Sequence, residues 1–369
     1  MKLDILQENL KNAVAVVSRV LVTKPQIPIL ANILLETKDG QLVLTASNLE
    51  TTVTLSVGAK IETPGAFTVP GRTFGEVTAG LAAEKITLAT EENNLLITGG
   101  KFKAKIAGLP AADFPKLTEI NEKAVATAWE FSKPDFLKII NQVTFAAATD
   151  DSRAALTGIL FQPRPDGLVL AAADGFRLSM VTLPKIKNEN LDSFLVPAKA
   201  LLEITRMIGE KITLTLVSHQ VIFTTGEIKI YCRCLAGKFP EFEKIIPTNS
   251  SLKIVVATEE LDKAVKLAAI FARDSANIVK LKMQKSKLKI SANAPQTGEN
   301  ETEMEIETEK DNEEEFSIAF NYRYLLDFLN STDSQEFTAE FNDSLSSGVF
   351  RLPSDPNFLH LIMPVRVQN

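Results

Sequence analysis

The chain has little of what catalytic or secreted proteins usually depend on. Its 369 residues include two cysteines, two histidines, one tryptophan and three tyrosines. Cys232 and Cys234 stand two positions apart, where a mutual disulfide would be badly strained. A disulfide-built secreted scaffold is thereby excluded, and a reducing compartment fits. Cys232-Arg233-Cys234 lacks the further ligands that zinc needs, and His219 and His360 add little for metal binding or proton transfer. Asp150-Asp151 has no third acidic partner nearby and reads as a loop or helix cap. No cofactor and no metal are expected. There is no run of 18 apolar residues, which excludes an apolar membrane-spanning helix. The opening stretch MKLDILQENLKNAVAV carries Asp4 and Glu8 where a secretory signal would be apolar, so a cytoplasmic protein is expected. A phosphate loop is missing, because Gly100-Lys101 is followed by Phe102. GxGxxG, GxSxG, HExxH and EF-hand patterns are missing too, which weighs against an enzyme.

What the chain does have is apolar content and charge in unusual places. Hydrophobic residues make up 45%, ample for buried cores, and the length predicts about two or three domains. The net charge is −6, but residues 299–315 hold ten acidic residues and one lysine, a local balance of −9. The rest of the chain is therefore at +3, and the low overall charge does not argue against a nucleic-acid partner. In that segment Glu301, Glu303, Glu305 and Glu307 alternate with Thr302, Met304, Ile306 and Thr308. Period two predicts a strand with one charged, solvated face, pointing away from any DNA.

The sequence also repeats itself. Leu6, Leu10, Ala13, Val14, Val17, Val20 and Leu21 form one apolar helical face. Similar helices are predicted in SKPDFLKIINQVTFAAA, with Ser132 as N-cap, and in ATEELDKAVKLAAIFAR. A second kind of helix follows a strand end: VPGRTFGEVTAGL from Val69, VPAKALLEITRMI from Val196 and FNYRYLLDFLNS from Phe320. Pro70 and Pro197 suit its first turn. Leu10, Leu137 and Leu261 are separated by 127 and 124 residues, and so are Val69, Val196 and Phe320. Asp39-Gly40 and Asp166-Gly167 are also 127 apart. Three copies of one unit follow, too long for a solenoid repeat. Short Val-, Ile-, Thr- and Leu-rich runs between the helices predict about eight strands per copy, an α+β arrangement with helices packed on antiparallel sheets. Polar stretches near 120–128 and 247–253 separate the copies.

The offsets also align cations. Arg72, Lys199 and Arg323 fall at the common position in the first turn of the second helix, where a cation opposes the helix dipole. Lys11 and Lys138 align, with Lys263 one place off and Lys266 close by. A surface facing a polyanion explains the pattern better than ordinary helix-surface lysines. With so few aromatic rings for base stacking, the contact expected is with a phosphate backbone.

At this point the residues resemble a family, the bacterial sliding clamp, which is the β subunit of DNA polymerase III. Asp174-Gly175-Phe176-Arg177-Leu178 is similar to the family's Thr-Asp-Gly-His/Tyr-Arg-Leu segment. LPAADFPKL from Leu109, KFPEFEKIIP from Lys238, IPILANILL and the C-terminal LIMPVRV resemble clamp segments too. Ala173 replaces the usual Thr, Phe176 replaces His or Tyr, and Val367-Gln368-Asn369 extends the end. The resemblance implies clamp domains at 1–122, 128–247 and 252–369. It implies a head-to-tail homodimer whose six domains close a ring around double-stranded DNA, held without sequence preference. It further implies that the ring tethers the replicative polymerase and has no catalytic task. The cations then expected to face the DNA are Lys24, Arg72, Lys138, Arg153, Lys199, Arg206, Lys263, Lys266 and Arg323.

The resemblance also implies a pocket for short linear motifs from the polymerase III alpha subunit, the clamp loader and other clamp-motif proteins such as repair factors. Its matching positions are Leu156, Ala173, Gly175, Phe176, Arg177, Leu178, Pro240, Lys244, Ile245, Leu345, Ser347, Leu361, Met363, Pro364, Val365 and Arg366. Phe176 removes a polar handle and implies a more apolar peptide anchor. Ala104 and Ile106, facing Ile270 and Phe271, are the implied dimer contacts. Two other readings of the sequence stay open: a three-domain enzyme with an interdomain site, and a β-rich scaffold with no DNA role.

Overall fold

The computed structural model describes residues 1–115, 125–186, 191–309 and 314–366. The expected polar boundary near 120–128, residues 310–313 of the acidic segment and the extension 367–369 therefore lie wholly or mostly outside the described residues. The described chain forms two compact units, residues 1–136 with 199–234, and residues 137–198 with 235–369.

The first unit has an eight-stranded antiparallel sheet in the order Val125–Ser132, Lys211–Val217, Gln220–Thr225, Ile228–Arg233, Thr51–Gly58, Gln41–Ser47, Asn32–Lys38, Ala66–Pro70. A five-stranded sheet runs Lys60–Thr63, Lys2–Leu6, Lys85–Glu91, Asn94–Gly99, Phe102–Ala107. Helices Gln7–Val17 and Gly71–Gly80 supply its helical layer. Leu10, Ala13, Val14 and Val17 are buried as the helical period predicts, and so is Val20 in a following 3-10 turn. Leu6 departs from the expected apolar face: it ends a strand and is half exposed.

The second unit has a nine-stranded sheet in the order Phe194–Pro197, Gly158–Arg164, Gly167–Ala173, Arg177–Leu183, Asp355–Ile362, Gly348–Leu352, Glu336–Phe341, Leu252–Ala257, Glu307–Thr308. Its second sheet runs Gly298–Glu305, Lys287–Ala294, Ile278–Gln284, Phe316–Asn321. Helices Thr258–Ala272 and Tyr322–Asn330 belong to it. Phe328 anchors its core, with ring centroids 5.1 Å from Phe337, 5.2 Å from Phe350 and 5.4 Å from His360.

The three sequence copies recur as three copies of one hydrogen-bonding plan. Pro70, Pro197 and Asn321 each close an edge strand and precede a second-type helix, paired with Asn32, Gly158 and Ile278. The prolines thus stand one place before the helix rather than in its first turn. There the missing N–H is lost at a sheet edge, where it is tolerated. In the third copy the side chain of Asn321 caps the helix by accepting from the Arg323 N–H at 3.0 Å. Ser132 caps as expected, accepting from the Asp135 N–H at 3.3 Å. Each copy also ends on a strap: the backbone N–H of Leu109, Leu235 and Val365 donates to the carbonyl of Thr68, Leu195 and Ala319.

One sequence alignment needs correction. Asp39-Gly40 forms a two-residue hairpin turn between Lys38 and Gln41, both residues at positive φ. The matching turn is closed by Arg164 and Gly167, so Asp166-Gly167 is displaced by one residue. Gly167 starts the strand instead, at φ +148, and a Cβ there would lie 2.5 Å from the Leu183 carbonyl oxygen. Gly167→Ala should therefore destabilise the protein by about 1–3 kcal/mol. Gly58→Ala, at a position with open space around it, should stay within about 0.5 kcal/mol of the parent. Urea unfolding of the two variants checks this.

Candidate functional site

The expected partner pocket lies within the second unit, around the turn that joins Gly167–Ala173 to Arg177–Leu183. Asp174 builds that turn. Its Oδ1 accepts from the N–H groups of Phe176 at 2.8 Å and Arg177 at 3.0 Å, an Asx turn. Gly175 sits at φ +95, and a Cβ there would lie 2.7 Å from the Arg153 guanidinium. That guanidinium donates to the Asp174 carbonyl at 3.2 Å. Arg153, expected to face DNA, is thus also a wall of this turn.

Arg177 is the turn's anchor. Its side chain is nearly buried, donating to Asp174 Oδ2 at 2.9 Å and to Asp327 Oδ2 at 2.5 Å. Its guanidinium lies 4.6 Å from the Tyr324 ring centre and 5.6 Å from that of Phe145. Two carboxylates and two rings offset the desolvation of this cation, and removing one partner would leave it uncompensated. Phe176, 59% exposed, stacks over Tyr324 at 6.4 Å. Tyr324, Asp327 and Phe145 were not among the residues expected from sequence, and Asp174 was expected as part of the motif but not as a pocket position. The available signal was slight: two of the three tyrosines fall on one helix, with Asp327 one turn after Tyr324.

The expected pocket residues divide into floor and rim. Leu156, Leu178 and Leu361 are buried in one apolar cluster with Phe239 and Phe242, and Ala173 packs against it. Leu178 and Leu361 face each other across neighbouring strands. Phe176, Ile245, Leu345 and Met363 are the large apolar residues exposed at the rim. The Met363 N–H donates to the Phe176 carbonyl at 2.8 Å, and the Ser347 hydroxyl donates to Met363 Sδ at 2.9 Å. These bonds bring the C-terminal strand and the Asp174 turn together. Val365 serves as a strap, while Pro240 and Arg366 are exposed and Pro364 is half-buried. Lys244 is exposed and paired with Glu241. The 460 Å³ cavity in this unit lies elsewhere, lined by Lys280, Ser291, Asn293, Glu299 and Glu301 among others.

The nine candidate cations are all exposed, and five of them already hold a carboxylate: Arg72 with Glu76, Lys138 with Asp355, Arg206 with Glu203, Lys263 with Glu259 and Lys266 with Asp262. Lys24, Lys199 and Arg323 hold none among the described residues. The expected dimer residues sit on two elements. Ala104 and Ile106 lie on the edge strand Phe102–Ala107, and Ile270 and Phe271 near the end of helix Thr258–Ala272. Ile270 is 46% exposed. The acidic strand bears out its expected face: Met304 and Ile306 are buried and Glu301, Glu303 and Glu305 are exposed. Its charges are partly matched in the same sheet, Glu303 by Lys287 at 2.6 Å and Glu301 by Lys289 at 3.0 Å.

No cluster of three metal-ligating side chains occurs among the described residues. Cys232 is buried on a strand and Cys234 lies just beyond its end, and burial pushes their thiols up to about 12 and about 11. Few thiolates form there near neutral pH, so neither thiol is poised as a nucleophile. Asp150 acts as a cap, accepting from the Ser152 N–H at 3.0 Å. Among the described residues no helix is long and apolar enough to cross a membrane.

Comparison with known proteins covers the chain end to end. Models of the DNA polymerase III beta subunit match in order: its N-terminal domain at residues 1–118, its central domain at 130–241 and its C-terminal domain at 243–366. The beta sliding clamp of Escherichia coli is 29% identical, with all of both chains covered. That of Staphylococcus epidermidis is 25% identical over 92% of each chain. The crystal structure of the DNA polymerase III beta subunit from Pseudomonas aeruginosa superposes with a TM-score of 0.93 at 28% identity, and the Bacillus subtilis sliding clamp with 0.93 at 26%, each over the full length of both chains.

His360 gives a pH signature under the pocket. It is wholly buried, and desolvation, helped by the nearby Arg177 charge, pushes it from 6.5 down to about 3. An unfolded chain takes a proton below about pH 6.5 that the folded chain refuses until about pH 3. Stability present above pH 6.5 is therefore lost as pH falls through that window. Urea midpoints should drop from pH 7 to pH 5, and the drop should be smaller in His360→Leu.

Proposed function

Because the chain belongs to the DNA polymerase III beta-subunit family, we propose that it works as a DNA sliding clamp, a homodimeric ring around duplex DNA that tethers the replicative polymerase. The observation that carries this reading is the ordered match of three domain models along one chain. The proposed domains are 1–122, 128–247 and 252–369. The clamp is a processivity subunit with no reaction of its own, working in the cytoplasm. It raises the polymerase's effective concentration at the primer end by topology rather than by affinity.

Ring closure is supported by two edges. Among the described residues, strands Phe102–Ala107 and Gly298–Glu305 end their sheets without an outer neighbour. Unpaired edges are aggregation liabilities unless something pairs them. Head-to-tail pairing of two copies would use both edges of both copies and close the assembly. Ala104, Ile106, Ile270 and Phe271 are the apolar part of that seam.

The nine cations serve the DNA. Exposed ion pairs contribute only about 0–1 kcal/mol, so Arg72 and Lys263 can exchange a carboxylate for a phosphate at little cost. Contacts of this kind carry no base code and permit sliding. Replacing Arg72, Lys199 and Arg323 together with Ala should weaken DNA retention alike on any sequence. It should also lower the log–log salt slope by up to about 0.9 per contact removed. An unchanged slope in a filter-binding titration would remove these three from the DNA surface.

The pocket takes a linear motif from the polymerase III alpha subunit, the clamp loader or other clamp-motif proteins. Two apolar anchors would rest on the Leu178–Leu361 floor between Phe176, Ile245, Leu345 and Met363. Buried hot-spot side chains typically cost about 2 kcal/mol when truncated, roughly thirtyfold in affinity. Met363→Ala should therefore weaken a labelled clamp-motif peptide by about that factor in fluorescence anisotropy, with the dimer unchanged by sizing. Equal affinity of parent and variant would end the assignment.

A further inference from the structure

The rim residue Ile245 is carried by a segment with few ties to the sheets. Before it the Leu235 N–H is strapped to the Leu195 carbonyl, and after it the Ser251 N–H bonds to Phe341. Among the described residues, no main-chain hydrogen bond ties residues 236–248 to either sheet. The segment closes on itself, the N–H groups of Ile245 and Ile246 donating to the carbonyls of Phe242 and Glu243, both at 3.2 Å. Two rings anchor it. Phe239 and Phe242 are buried in the cluster beneath the pocket and meet edge to face at 6.0 Å. Ile246 packs against the same cluster, while Ile245 stays half exposed. Apolar burial is non-directional, so the rings hold the segment down without fixing how it is rolled.

The directional tie comes from the strand Gly158–Arg164. Its face with period two places Leu160 in the cluster, and the next residues of that face are Gln162 and Arg164. The Arg164 guanidinium donates to Gln162 Oε1 at 2.6 Å, pairs with the Glu243 carboxylate and lies 5.9 Å from the Phe242 ring centre. Gln162 therefore aims the guanidinium, and Phe242 and Glu243 receive it. A planar guanidinium with five donors can serve all three partners at once, which a lysine ammonium cannot. Among the described residues, Arg164 is the one side chain outside residues 236–248 that hydrogen-bonds to them. Lys244 pairs only within the segment, with Glu241 at 2.5 Å, and fixes nothing beyond it.

We propose that Arg164 is a positioning residue for the partner pocket: by holding Glu243 it sets the roll of the turn Glu243–Ile245, and with it the place of Ile245 on the rim. This rests on the pocket reading given above and adds what keeps that wall in place. Glu243 and Ile245 belong to one 3-10 turn, which moves as a body, so a shift at the first residue is passed to the third. With the pair intact, a motif meets an apolar wall already in position. Without it, the cost of ordering the wall falls on binding. Arg164 acts through the turn and not by touching the motif.

Charge reversal separates positioning from packing. Arg164→Glu sets a second carboxylate against Glu243, and Glu243→Arg sets a second cation against Arg164. The probe is a fluorescein-labelled peptide carrying the clamp motif of the polymerase III alpha subunit, read by anisotropy. Either variant alone should bind it about five- to tenfold more weakly than the parent, and the two together, which restore an opposed pair, should return to within about threefold. Hydrogen exchange of the free proteins should follow the same order. Residues 243–248 should exchange faster in either single variant than in the parent or the swapped protein, with Arg177–Leu183 alike in all four. Circular dichroism confirms that each variant is folded. Parent-like affinity in both single variants overturns the proposal. So does a loss that the swap does not restore, because the charge pair is then not what acts. Met363→Ala distinguishes this from failure of the pocket itself. If Met363→Ala weakens the peptide and the two charge variants do not, the pocket stands without Arg164; if none of the three weakens it, the pocket reading falls.

Discussion

Antiparallel strand pairing between consecutive repeats is the constraint on which the rest depends. Ile228–Arg233 adds to Thr51–Gly58, and Asp355–Ile362 adds to Arg177–Leu183. Each addition fuses half of one repeat to half of its neighbour in a single sheet. That is why three sequence copies give two compact units. A side-chain interface tolerates sliding, whereas a strand pair fixes register, because a one-residue slip turns every side chain to the other face. The joints therefore hold the functional surfaces in register with the sheets.

The proposed pocket is a consequence of one such joint. Pairing Arg177–Leu183 with the C-terminal strand sets Leu178 beside Leu361 and leaves Met363 one step beyond, tied to the Phe176 carbonyl. The turn between them cannot drift, because Arg177 is clamped by Asp174 and Asp327 and flanked by Tyr324. The exposed apolar rim is thus carried on a rigid, nearly buried ion network rather than on a free loop. A peptide meeting it would lose little of its binding energy to ordering the protein.

Much of this was legible in sequence, and the reasons for the rest are physical. The 127 and 124 offsets located the helices and the equivalent positions 70, 197 and 321, because duplicated units keep their backbone plan. The period-two pattern gave the acidic strand its faces. Sequence did not reveal that Asp166-Gly167 is displaced by one residue, since a close approach to the Leu183 carbonyl decides that and leaves no compositional trace. Nor did it reveal Tyr324, Asp327 and Phe145 around Arg177, which are 150 or fewer positions away in sequence yet meet through folding. Five of the nine cations proved to be paired because the acids near them, the exposed Glu76 and the largely buried Asp355 among them, act through geometry that composition cannot show.

A ring that is loaded onto DNA must open somewhere, and it matters which joint yields. The internal joints are continuous with the chain and cannot exchange partners. In the proposed ring only the seam joins separate molecules. Apolar rows such as Leu178 with Leu361 gain from burial that salt does not weaken, and truncating either leucine would cost about 2–5 kcal/mol. At the proposed seam, exposed charge on an edge strand such as Gly298–Glu305 would be screened by ions. Charge also discriminates: in the proposed ring an acidic edge would repel another acidic edge, so head-to-head pairing would be disfavoured and the head-to-tail arrangement favoured. The acidic segment that lowers the chain's net charge therefore need not be a solvated surface alone. In the proposed ring it would disfavour closure in the wrong orientation, and its exposed carboxylates would make that face of the sheet unattractive to DNA.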